Sequence, residues 1–129
     1  MTALFCRIEL NKTDGIVVTL DNKNGSITHT IVLSGEDITT TSKGNAGTSV
    51  IVQAPDKITM ACKTFELKAE TISCNASNTT SFTSSQDFSI SSDTNVNVKA
   101  AMDVDLQGTN IALTGSAQIT GKAGLIKLQ

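Results

Sequence analysis

The stretch KITMACKTFELKAETISCNAS, Lys57 to Ser77, decides how this chain is read. It is one phrase written three times, as KITMACK, TFELKAE and TISCNAS. Each copy puts a bulky apolar residue second and fourth and a small residue sixth. Apolar side chains two apart mark a strand with one dry face, because successive strand side chains leave on opposite sides. A helix needs apolar spacings of three and four, and those are missing here.

Outward from this stretch the phrase continues in both directions. Upstream lies Val50-Val52-Ala54, followed by Ile58-Met60-Cys62, Phe65-Leu67-Ala69 and Ile72-Cys74-Ala76. Downstream come Thr80-Phe82-Ser84, Phe88-Ile90-Ser92, Val96-Val98-Ala100, Val104-Leu106-Gly108, Ile111-Leu113-Gly115 and Ala117-Ile119-Gly121. These ten units advance by six to eight residues each, and a partial unit, Ile126-Leu128, follows. The residues between the large ones are mostly polar, among them Glu66, Lys68, Ser89, Ser91, Asn97 and Lys99. Internal self-similarity at a fixed short period is the mark of a repeat architecture.

The joints between units select the architecture. A hairpin meander usually carries Asn-Gly, Asp-Gly or similar residues at each reversal. The joints Ala61-Cys62-Lys63-Thr64, Ala69-Glu70-Thr71 and Ser92-Asp93-Thr94-Asn95 carry none of these. A small third residue suits a bend of roughly a third of a turn, so the pattern predicts a β-solenoid whose strands wind about an axis. Wound alone, ten strands make little more than three turns around a thin core rich in Ala, Ser, Cys and Gly. Such a core competes poorly with chain entropy. Three intertwined copies pair every strand edge except at the ends and bring each large residue against its symmetry mates. The expectation is therefore an all-β parallel homotrimer, with a single-chain helix as the alternative. At about 4.8 Å per level, ten levels span on the order of 50 Å. The axis is expected to be filled by Ile58, Met60, Phe65, Leu67, Ile72, Phe82, Phe88, Ile90, Val96, Val98, Val104, Leu106, Ile111, Leu113 and Ile119.

Composition agrees with a rod better than with a compact core. Of 129 residues, 39% are apolar but only 3% aromatic, with four Phe and neither Trp nor Tyr. Aromatic side chains usually dominate core energetics, whereas Thr, Val and Ile favour strands. A net charge of −2 leaves no basic footprint for nucleic acid or an anionic membrane. No apolar run approaches a membrane span, and the start MTALFCRIELNKTDG lacks the basic-then-apolar order of a secretory signal. Cys6, Cys62 and Cys74 are odd in number and form no CxxC pair, so they read as buried, reduced thiols acting as small hydrophobes.

Units such as KITMACKTFELKAETISCNAS and NVNVKAAMDVDLQGTNIALTGSAQITGKAG resemble the triple-stranded β-helix of central spike proteins from contractile injection machines. That family comprises phage baseplate spikes, pyocin spikes and the spike tips of type VI secretion. The resemblance covers residues 46–129. It implies a structural role at the tip of a contractile tail, on a virion or related device, where the contracting sheath drives the spike through the host outer membrane. The implied partners are two further copies of the chain, tail hub or tube proteins at the N-terminal end, and the outer membrane transiently at the C-terminal tip. Nucleic acid is not among them. The implied site of synthesis is the host cytoplasm, without a signal peptide. The apex is expected at Gly121, Lys122, Gly124, Leu125, Ile126, Lys127, Leu128 and Gln129. Some spikes hold iron there through a His-x-His motif. This chain has one histidine, His29, outside that region, so neither apical iron nor another cofactor is expected.

The family often carries a small barrel ahead of the helix. Residues 1–45 are expected to form a separate β section, either a reduced barrel or a set of hairpins making a collar that docks to the tail hub. Leu4 to Ile8, Gly15 to Leu20, Ser26 to Leu33 and Asp37 to Thr41 read as strands. The run Ser42-Lys43-Gly44-Asn45-Ala46-Gly47 reads as the boundary. His29, within Thr-His-Thr, reads as an ordinary sheet residue.

Catalytic constellations are missing from the sequence: there is no GxSxG and no HExxH, so no enzyme is expected. Asp103 and Asp105 share one outer strand face and read as solvated. Gly108, Gly115 and Gly121 follow the structural repeat instead of a phosphate-loop spacing. Ice binding needs outward Thr-x-Thr pairs at every turn, and those occur only at Thr28-Thr30 and Thr39-Thr41, outside the repeat. The alternative function is a trimeric receptor-binding tail fibre or other β-solenoid adhesin. Such a fibre is expected to end in a larger, loop-rich head, whereas here the repeat narrows to glycine.

Overall fold

The computed structural model describes residues 4–22, 24 and 26–127. The chain divides into two units, Met1–Cys74 and Asn75–Gln129. No described residue is helical.

The first unit holds a single-layer, six-stranded antiparallel sheet. Its strands are β1 (Leu4–Asn11), β2 (Gly15–Asn22), β3 (Ile27–Leu33), β4 (Ile38–Gly44), β5 (Gly47–Ala54) and β6 (Lys57–Ala61). They lie side by side in chain order, each paired with the next. The four expected N-terminal strands are all present. The sheet is an open meander with β1 and β6 at its edges, so successive hairpins stand where a reduced barrel was the alternative.

Local chemistry fixes two of the turns. Between β1 and β2, the Asn11 side-chain oxygen accepts the Thr13 amide at 2.8 Å, and its amide nitrogen donates to Asp14 at 2.6 Å. Gly15 then takes a φ of 87°. That left-handed conformation favours glycine, and a Cβ here would overlap the Leu33 carbonyl oxygen. Between β3 and β4, Ser34 Oγ accepts the amides of Glu36 and Asp37 at 3.1 and 2.9 Å. The Ser34 amide also donates to the Asp37 carbonyl at 2.9 Å.

The structure departs from expectation at two points. The boundary run falls at the tip of the β4–β5 hairpin, where Gly44 pairs with Gly47, and the sheet passes straight through it to Ala61. The first two repeat units are therefore β5 and β6, paired antiparallel with Val50 opposite Ala61 and Ala54 opposite Lys57. In this register Val50 and Val52 face one side of the sheet while Ile58 and Met60 face the other. The first unit thus shares no face with the second. The reversal needs no glycine. Pro55 presets a negative φ for the two-residue Pro55-Asp56 loop, and among the described residues no non-glycine has a positive φ.

Beyond Ala61 no described residue is assigned to a strand. What remains regular is the bending of the backbone. Bends fall at Lys63, Glu70, Ser77-Asn78, Ser85-Gln86, Asp93-Thr94, Ala101-Met102, Thr109, Ser116-Ala117 and Gly124. Their spacing of seven to eight residues is that of the sequence repeat.

Candidate assembly interface

Every bend from Lys63 to Ser116 follows directly on the small residue of a unit: Cys62, Ala69, Ala76, Ser84, Ser92, Ala100, Gly108 and Gly115. The third position therefore shapes the backbone, and three kinds of residue serve it most often. Alanine takes little room. Serine caps the bend: Ser84 Oγ accepts the Gln86 amide at 3.3 Å, and Ser92 Oγ accepts the Thr94 amide at 3.4 Å. These are equivalent serine turns in successive units. Glycine allows close approach. A Cβ on Gly115 would lie 2.7 Å from the Gln118 carbonyl oxygen and 2.9 Å from Ile119 Cγ1.

Across some bends the large residues of adjacent units meet. The rings of Phe82 and Phe88 stack with centroids 6.2 Å apart and planes inclined by 28°. Gly108 sits beside Ile111, Gly115 beside Ile119 and Gly121 beside Ile126.

The whole expected axis nevertheless remains open. Ile58, Met60, Phe65, Leu67, Ile72, Phe82, Phe88, Ile90, Val96, Val98, Val104, Leu106, Ile111, Leu113 and Ile119 are all more than half exposed, with Ile90 at 66% and Val98 at 72%. Among the described residues none is buried. Residues 62–127 also make no backbone–backbone hydrogen bond among the described residues. A long, non-helical segment whose backbone finds no partner and whose apolar side chains stay mostly uncovered is atypical of a folded chain, where nearly all backbone groups pair and large apolar patches signal an interaction surface.

The expected buried thiols are not met within one chain, because Cys6, Cys62 and Cys74 are free and exposed. In the segment expected to form an apex, Gly121, Lys122, Gly124, Leu125, Ile126 and Lys127 are all exposed. Leu128 and Gln129 lie outside the described residues. Asp103 is exposed, and Asp105 accepts a bond from Gln107 at 2.6 Å. His29 Nδ1 lies 2.8 Å from Ser42 Oγ in the sheet. Among the described residues no cluster of three His, Cys, Asp or Glu side chains is arranged to hold a metal ion.

Sequence reading overlooked the division of charge across the sheet. Pairing places Arg7, Glu9, Asp21, Lys43 and Lys57 together on one face, with a row of threonines that includes Thr19, Thr30 and Thr41. The other face holds Leu4, Cys6, Ile8, Leu10, Ile16, Val18, Leu20, Ile27, Ile31, Leu33, Ile38, Ile51, Ile58 and Met60. Its polar members, among them His29, Thr40, Ser42 and Gln53, include no Asp, Glu, Lys or Arg. In β3 the threonine-face residues Thr28, Thr30 and Val32 are half-buried while the aliphatic ones are exposed. The signal lay in the alternation of each strand, but only the register reveals that the stripes merge. The chain matches no protein-family model, no curated protein and no solved structure.

Proposed function

We infer that this chain is a structural strand-former that completes itself only as a parallel homotrimer, forming the piercing spike of a contractile injection machine. The observation that carries the trimer is the bend after the small residue of each unit from Cys62 to Gly115, repeated at seven-to-eight-residue steps with the large residues left uncovered. A chain bent this way presents extended segments whose backbone and apolar groups are free to pair with copies of themselves. Three copies then supply each other's ladders and a shared dry axis. Bending such a rod breaks ladders and packing together, which makes it stiff.

The piercing role comes from the resemblance of the repeat to central spikes. In that role the chain needs stiffness and no active site, because the sheath supplies the work. The N-terminal sheet faces the tail hub, and the segment from Gly121 onward forms the leading tip, where glycines let three chains converge.

Particles assembled with residues 121–129 deleted test the function. A spike lacking its tip leaves particles that adsorb and contract normally but penetrate cells poorly. Loss of adsorption itself contradicts the spike reading and favours a receptor-binding fibre.

A further inference from the structure

The six-stranded sheet poses a problem separate from the repeat. It satisfies its own internal ladder, yet one face is mainly aliphatic and open, while every Asp, Glu, Lys and Arg in its strands lies on the opposite face. Six strands at about 4.8 Å and seven residues at about 3.4 Å give a face of about 29 by 24 Å. That is roughly 700 Å², comparable with the roughly 800 Å² per partner of a standard stable interface.

Continuity identifies the occupant. Ile58 and Met60 belong to the aliphatic face through their pairing with Gln53 and Ile51. They also fill the large positions of the second repeat unit. A hollow at the β6 edge is lined by Ile51 and Met60 of this face, by Val50 and Ala61 of the other, and by Phe65, the next large residue of the repeat. The chain thus leaves the sheet from a strand whose large residues lie on the aliphatic face, with Phe65 close to its edge. If copies of the chain meet along the repeat, the same contact extends over the sheet without a change of side.

We propose that the aliphatic face is a second homotrimer interface: three sheets turn Ile8, Leu20, Ile31 and Ile51 toward a shared axis and expose their threonine faces. This rests on the trimer reading above. It makes the N-terminal section a closed prism with a charged outer surface, and leaves any tail-hub contact to that outer surface or to the turns.

Cys6 is a probe in place, since it lies on the aliphatic face beside Leu20 and is exposed in the single chain. The full-length chain carrying Cys62→Ala and Cys74→Ala is treated with a small thiol reagent while its mass is followed by light scattering. Thr30→Cys, placed on the threonine face in a chain that also lacks Cys6, gives the reference rate. The expected result is a trimer in which Cys6 reacts at least about tenfold more slowly than the thiol of the Thr30→Cys variant or of the urea-unfolded chain. A trimer whose Cys6 reacts as fast as the unfolded chain overturns the sheet interface and leaves the trimer standing. A monomer overturns both.

Discussion

Residues 4–61 and residues 62–127 are written in the same chemistry, with Thr, Val and Ile alternating with polar residues, yet they end in opposite conditions. The first region reverses at each turn, so every strand meets its neighbour in the chain and the ladder closes from β1 to β6. The second bends without forming hairpins, and its backbone groups find no backbone partner within one chain among the described residues. The turn residues make the difference. Gly15 with its positive φ, the Ser34 turn and Pro55-Asp56 each turn the chain back on itself. Ala, Ser or Gly in the third position merely deflects it. Pairing is thus intramolecular in one region, and in the proposed assembly it comes from other chains in the next.

The sharpest way to break this comparison is to charge the open region. In the proposed trimer Ile90→Asp places three carboxylates against one another in a dry axis, at a cost on the order of several kcal/mol per chain. The expected outcome is loss of soluble trimer in size-exclusion chromatography, whereas Ser89→Asp, one residue away and outward, retains it. Equal effects at both positions would mean that the inward register is wrong.

A smaller effect comes from the self-sufficient region. Gly15→Ala forces a left-handed backbone and a clash with Leu33, costing about 1–3 kcal/mol. Because the sheet is held by its own turns, denaturant unfolding should show earlier loss of the sheet while the mass at low denaturant is unchanged. The smallest effect separates capping from packing. Ser84→Ala and Ser92→Ala each remove the acceptor for one bend amide, at about 0.5–1.5 kcal/mol per site. Alanine fits the slot, as at Ala69, Ala76 and Ala100, so the variants should assemble normally and melt slightly lower.

Much of this was legible in the residues. The alternation of Leu4, Cys6, Ile8 and Leu10 and of Ile16, Val18 and Leu20 marks strands unaided, and the small third residue anticipates the bends. The hairpin at Pro55-Asp56 was not legible from the period. Units starting at Val50 and Ile58 are eight residues apart whether the chain bends or reverses, so spacing alone cannot tell the two apart. Facing was hidden for the same reason. In the β5–β6 hairpin the pairing joins even-numbered to odd-numbered residues, which sends Val50 and Met60 to opposite sides although both fill large positions. The single face without formal charge likewise emerges only once turn lengths fix the register of five strand pairs.

The central claim is that this chain is complete only in threes. Light scattering on the purified full-length chain, in native buffer and again in denaturant, tests it most directly. The expected native mass is about three times the 13.5 kDa of one chain, unchanged on dilution and falling to a single chain only when unfolded. A folded monomer of 13.5 kDa in native buffer would contradict it.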